Sequence, residues 1–171
     1  MEDQTIAQEH AVSQPSKHDL NIPPGRPTGP VLVVADKEPA LLIQRLLTDA
    51  GHETLHASDV DHALELLDSS RPACSCVIAD RDSRIADGVL SLLDRTRSFG
   101  PVSLAEVPFV VLGTQTTKQF LLWQSGVDGY IQRPIHARDL LEAIHSVLAR
   151  TDIDRERLRR AMIDELSKVT F

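Results

Sequence analysis

Cys-Ser-Cys-Val-Ile-Ala-Asp-Arg-Asp-Ser-Arg-Ile-Ala-Asp-Gly, residues 74–88, is an apolar run that stops on a carboxylate, Asp80, and then turns. Apolar runs of this length between polar turn residues are written for strands buried on both faces, as parallel strands are. An acid at the carboxyl end of such a strand stands where open α/β sheets place their ligand crevice. Asp80 is therefore the residue around which the rest of the chain is read.

Working outward, residues 31–34 (Val-Leu-Val-Val) form a first strand that ends at Ala35-Asp36. Pro39 suits a first helical turn, the leucines at 41, 42, 46 and 47 repeat at helical spacing as core positions, and Gly51 supplies the stop. Residues 53–57 make a weaker strand. Ser58 and Asp59 then cap a helix carrying Val60, Ala63, Leu64 and Leu67, which closes at Arg71-Pro72. Beyond Asp80, Gly88 opens a third helix with Val89, Leu90, Leu92 and Leu93, fraying at residues 98–101. Residues 109–112 make a fourth strand ending at Gly113-Thr114. A short fourth helix holds Phe120, Leu121, Leu122 and Trp123 and stops at Gly126. Residues 130–132 are the fifth strand, ending at Arg133-Pro134, and a fifth helix over 137–150 buries Leu140, Leu141, Ile144, Val147 and Leu148. Five strands alternating with five helices predict a parallel sheet covered on both faces.

The 171 residues suffice for one well-buried domain with appendages. Three segments are expected: a disordered arm over 1–29, rich in Pro and Gly, a domain over 30–150, and a helical extension over 151–171. In the extension, Leu158, Met162, Leu166 and Val169 draw a thin apolar stripe through a charged segment. It reads as a linker helix toward an output domain, a dimerisation helix or a packed surface extension. The formal charge of −7 argues against a direct nucleic-acid surface. No stretch reaches membrane-spanning length, and the N-terminus lacks a signal-peptide layout. Cys74 and Cys76, two apart in the predicted strand, are expected on one face as reduced core thiols of a cytoplasmic protein. His52 and His56 share a predicted strand face without a third ligand and read as polar surface positions. Trp123 and Phe120 read either as core or as an exposed pairing patch.

Asp36 and Asp80 converge beyond neighbouring strand ends. Two such carboxylates with a nearby carbonyl make an oxygen site for a hard cation such as Mg²⁺, beside which one carboxylate accepts a phosphoryl group. Arg133, at another strand end, is placed to pair with the transferred oxygens. The competing reading is a solvated acidic rim that Arg133 neutralises.

Over residues 31–150 the sequence resembles the receiver domain of two-component response regulators. The resemblance rests on Val-Leu-Val-Val-Ala-Asp36, on Val-Ile-Ala-Asp80 followed by Asp87-Gly88, on Val-Asp-Gly-Tyr130 and on Arg133-Pro134. It implies a flavodoxin- or CheY-like (βα)5 fold, a doubly wound sheet with the helical extension appended. It implies that Asp80 is the phosphoacceptor served by a histidine kinase or phosphotransfer protein, and that Asp36, Asp80 and the Asp82 carbonyl hold Mg²⁺. Tyr130 matches the aromatic switch residue, and Pro134 the proline after the family lysine, usually joined by a cis bond. Such a module passes a state through its fourth and fifth helices to a homodimer partner, an effector domain or an output protein. It is not an enzyme beyond phosphoryl transfer to its own Asp80.

Several positions depart from the pattern. Ala35 replaces the first acid of the acidic pair, which weakens the metal site. Gly113 falls on the switch Thr/Ser position, with Thr114 displaced by one, and Arg133 replaces the lysine. Ser83-Arg84-Ile85 stands where Met-Pro is usual. The expectation is an atypical receiver with impaired phosphorylation. A docking or dimerisation scaffold without phosphoryl chemistry is the alternative. A third reading is an Asp-based phosphohydrolase, since Asp80-Arg81-Asp82-Ser83 resembles the strand-end motif of haloacid-dehalogenase-type enzymes. Those place the motif on their first strand, whereas two strands precede it here.

Overall fold

The computed structural model describes residues 28–82, 88–98, 100, 102–114 and 119–169. The expected arm up to residue 27, the segment Ser83-Arg84-Ile85, Asp87 and Phe171 lie outside the described residues. Five strands, β1 (Val31–Val34), β2 (Thr54–Ala57), β3 (Cys76–Asp80), β4 (Phe109–Gly113) and β5 (Gly129–Gln132), form one parallel sheet in the order β2-β1-β3-β4-β5. Helices α1 (Lys37–Asp49), α2 (Val60–Ser69), α3 (Gly88–Ser98), α5 (Gln119–Gln124) and α6 (Ala137–Ala149) are the five that periodicity predicts. One short helix, α4 (Val102–Ala105), was not expected, because four residues carry no period to read.

Alternation along the strands divides the core in two. Leu32, Val34, Val77, Ala79, Phe109 and Val111 face α2, α3 and α5, while Val33, Ala35, Ile78, Val110 and Leu112 face α1 and α6. Every residue of β1, β3 and β4 is buried, as helices on both faces require. Asp59 caps α2 by accepting the His62 N–H at 2.8 Å, and Gly51 and Gly126 end α1 and α5 at positive φ.

Three local expectations are corrected and one pair of alternatives is decided. The core stripe of α1 is Ala40, Ile43 and Leu47, and Leu41 and Leu42 are 57% and 62% exposed. Each residue turns a helix by about 100°, so one member of an adjacent pair must leave the core face. Cys74 precedes β3, so strand alternation does not extend to it. The two free thiols lie in opposite layers, and burial pushes both pKa values up. Of the two readings of Trp123, its burial selects the core. His52 is 2% exposed, and its Nε2 meets Nε2 of His145 on α6 at 3.3 Å, a contact that sequence separation hides. His56 Nε2 lies 2.8 Å from the Ala35 carbonyl, tying β2 to β1.

The C-terminal helix α7 (Asp152–Val169) lies against α5, with Leu158, Met162, Ile163 and Leu166 packed on the α2–α3–α5 layer. Buried Asp128, just ahead of β5, anchors it. The Asp128 carboxylate accepts from Arg155 at 3.0 Å and Arg159 at 2.6 Å on α7, from Arg97 at 3.1 Å on α3, and from the Phe109 N–H at 2.9 Å. The surplus guanidinium donors reach the carbonyls of Ala105, Glu106, Val107, Gly126 and Val127. Burial lowers the Arg97 pKa to about 10 against the pull of Asp128. Among the described residues no helix is long and apolar enough to cross a membrane.

Asp128→Ala strands three inward-facing guanidiniums and should cost about 3–5 kcal/mol in urea unfolding, whereas Arg160→Ala, on the exposed face of α7, should stay within about 0.5 kcal/mol. Equal effects would show that the network does not hold α7. Burial also keeps the His145 pKa below its ordinary 6.5. The unfolded chain then takes up the proton first, so stability is full above that value and falls as pH drops through it. Denaturation at stepped pH should show this slope, and His145→Gln should flatten it.

Candidate functional site

The parallel register brings the carboxyl ends of β1, β3, β4 and β5 to one edge, with Val34 beside Ala79, Asp80 beside Leu112 and Gly113 beside Gln132. Asp80, the last residue of β3, is 2% exposed. Arg133 leaves the end of β5 with its N–H bonded to the Gly113 carbonyl at 3.0 Å, and its bond to Pro134 is cis. From there its guanidinium forks. Nη2–H donates to Asp80 Oδ2 at 2.7 Å and Nε–H to Asp82 Oδ2 at 2.9 Å. The Asp82 N–H donates to Asp80 Oδ1 at 3.0 Å, and Thr114 donates from Oγ1 and from N to Asp82 Oδ1 at 3.1 and 3.2 Å. Partial burial opposes the charge of Arg133, but the bond to Asp80 and the charges of Asp80 and Asp82 outweigh it, and its pKa is raised.

Asp80, Asp82, Thr114 and Arg133 are thus brought into one hydrogen-bonded ring. Asp36 stands at the N-terminus of α1, beyond the end of β1. The expected Mg²⁺ set combines the Asp36 and Asp80 carboxylates with the Asp82 carbonyl. Among the described residues no group of three or more His, Cys, Asp or Glu side chains is arranged to hold a metal. Mg²⁺ demands near-octahedral oxygens at about 2.0–2.1 Å. Here Ala35 offers no carboxylate, the Asp80 carboxylate is bonded to Arg133, and the Asp82 side chain is held by Arg133 and Thr114. The residues present do not fit the ion.

On the β4 side, a Cβ at Gly113 would lie 2.9 Å from the Tyr130 hydroxyl and 3.5 Å from Cβ of Arg81. Tyr130 therefore fills the space in which a Thr or Ser side chain would stand. Burial raises the Tyr130 pKa, opposed by Arg81 and aided by Asp82. Sequence reasoning missed Arg81, whose Nη1 is buried without a hydrogen-bond partner among the described residues. Its place directly after the strand-end acid was the signal available.

Neither a family model nor a curated protein matches the chain. Solved structures do. Chemotaxis response regulator CheY4 of Vibrio cholerae is 23% identical with a TM-score of 0.61, over 71% of this chain and 99% of that one. A putative response regulator from Chloroflexus aurantiacus is 23% identical with a TM-score of 0.63, over 71% and 98%. The receiver domain of NtrX from Brucella abortus is 29% identical with a TM-score of 0.59, over 71% and 99%. The chain has the CheY-like receiver fold. Within this fold, α5 and α6 are the helices expected fourth and fifth, and α7 is added to them.

The packing of Tyr130 over Gly113 is testable because the chain has one tyrosine. Gly113→Thr should expel the ring at a cost of about 1–3 kcal/mol. The tyrosine pKa should then fall back toward its ordinary value in ultraviolet titration. An unchanged titration would mean that the ring was not displaced.

Proposed function

We propose that the protein is a response-regulator receiver of two-component signalling, atypical in its acceptor site. The observation that carries this reading is Asp80 itself. It is a buried carboxylate at the carboxyl tip of the central strand, bonded to a cation from the tip of β5. In the proposed step, a carboxylate oxygen of Asp80 attacks the phosphorus of a phosphohistidine on a histidine kinase or phosphotransfer protein. The P–N bond breaks, the imidazole leaves with its electron pair, and an acyl phosphate remains on Asp80. Arg133, already bonded to Asp80, is placed to follow the transferred oxygens. The missing hydroxyl at Gly113 and the missing carboxylate at Ala35 make the transfer slow. Beyond the self-directed transfer the protein is not an enzyme. It acts in the cytoplasm, and its state passes through α5, α6 and α7 to a homodimer partner or an effector.

The scaffold alternative gains support from the closed ring, since Arg133 and Thr114 already satisfy the acidic corner that an incoming phosphoryl group would have to open. Acetyl phosphate or beryllofluoride, with and without Mg²⁺, followed by intact mass and amide NMR, separates the two. Slow modification at Asp80, abolished in Asp80→Asn, is expected. Unchanged mass and spectra with every donor would sink the phosphorylated receiver in favour of the scaffold. Turnover of a phosphate ester that Asp80→Asn abolishes would favour the hydrolase instead.

A further inference from the structure

We infer that Arg133 is the resident cation of the Asp80 corner, so that the corner is complete without a divalent metal. The inference rests on the receiver reading only in taking this corner as the working site.

All four carboxylate oxygens of Asp80 and Asp82 already accept hydrogen bonds. Asp80 Oδ1 takes the Asp82 N–H and Asp80 Oδ2 takes Nη2 of Arg133. Asp82 Oδ1 takes both donors of Thr114 and Asp82 Oδ2 takes Nε of Arg133. A divalent ion that took the oxygens facing Arg133 would have to displace its two charge-assisted bonds, and Ala35 offers no carboxylate in exchange. The choice of arginine is what makes this arrangement available. A lysine ammonium is a compact point charge, whereas the guanidinium is a planar fork that reaches two carboxylates at once. The fork is held at its base by the Arg133 N–H on the Gly113 carbonyl. Arg81, with its buried Nη1, adds a second positive charge on the Tyr130 side of the same edge. A further cation entering there would meet like charge as well as occupied ligands. The departures at Ala35 and Arg133 are then one change rather than two. A carboxylate that serves a metal is dispensable once a side chain supplies the positive charge.

Titration of the whole chain with MgCl₂ alone tests this, read by melting temperature and by the amide signals of Asp80, Asp82 and Thr114, with Mn²⁺ as a paramagnetic probe. The wild type should show neither a shift nor site-specific broadening. Arg133→Ala frees the two carboxylates and should bind Mg²⁺ at least about tenfold more tightly than wild type. Adding Asp80→Asn to that variant should remove the gain. Wild-type binding as tight as that of Arg133→Ala would overturn the inference, and so would a folded Arg133→Ala that gains no binding. If Arg133→Ala does not fold, Arg133→Lys takes its place, since one point charge cannot hold both carboxylates and should leave measurable binding. No phosphodonor is present, so the phosphorylation assay can fail while this result stands, and the reverse.

Discussion

Burial of β3 on both faces constrains everything else in this molecule. Cys76, Val77, Ile78 and Ala79 are enclosed between two helical layers, and even Asp80 at the strand's tip is 2% exposed. A carboxylate can end such a strand only if its charge is met, because an unpaired buried charge is among the costliest features a fold can carry. Arg133 meets it. The chain enters and leaves β5 so as to bring that guanidinium across from β3's second neighbour, and Asp82 and Thr114 fill the remaining bonds.

A second buried carboxylate, Asp128, repeats the solution at the opposite end of β5. It gathers three arginines from two helices, and two of the three belong to α7. The helix has a thin apolar stripe and a low share of buried residues, so apolar contact alone gives it little hold. Charge-assisted bonds to a carboxylate fixed by the Phe109 N–H supply the missing specificity of position. The extension is thereby fastened to α5 and to the layer beneath it, on the side of the sheet that faces α2 and α3.

Between the two carboxylates runs β5, with Tyr130 turned over Gly113. The same strand therefore links the Asp80 corner to the anchorage of α7: Asp128 precedes it, Tyr130 lies within it and Arg133 follows it. Any change in how Arg133 holds Asp80 has a short covalent route to the helix that the C-terminal segment adds.

Strand and helix order, the parallel sheet and the place of Asp80 at the tip of β3 were legible in the sequence. Burial on both faces writes continuous apolar runs, and Asp80, Thr114 and Arg133 stand where those runs end. The sequence by itself also determined that Ala35, Gly113 and Arg133 depart together from the receiver pattern. Only the tertiary structure decided that the departures interlock: Arg133 forks between Asp80 and Asp82, Thr114 turns to Asp82, and Tyr130 takes the space above Gly113. It also decided that His52 meets His145, that Leu41 and Leu42 face outward, and that Asp128 binds α7. Periodicity reports which face a side chain occupies within its own element. Which group it meets depends on how elements far apart in the chain are laid side by side, and charge, unlike burial, leaves no period in the sequence to be read.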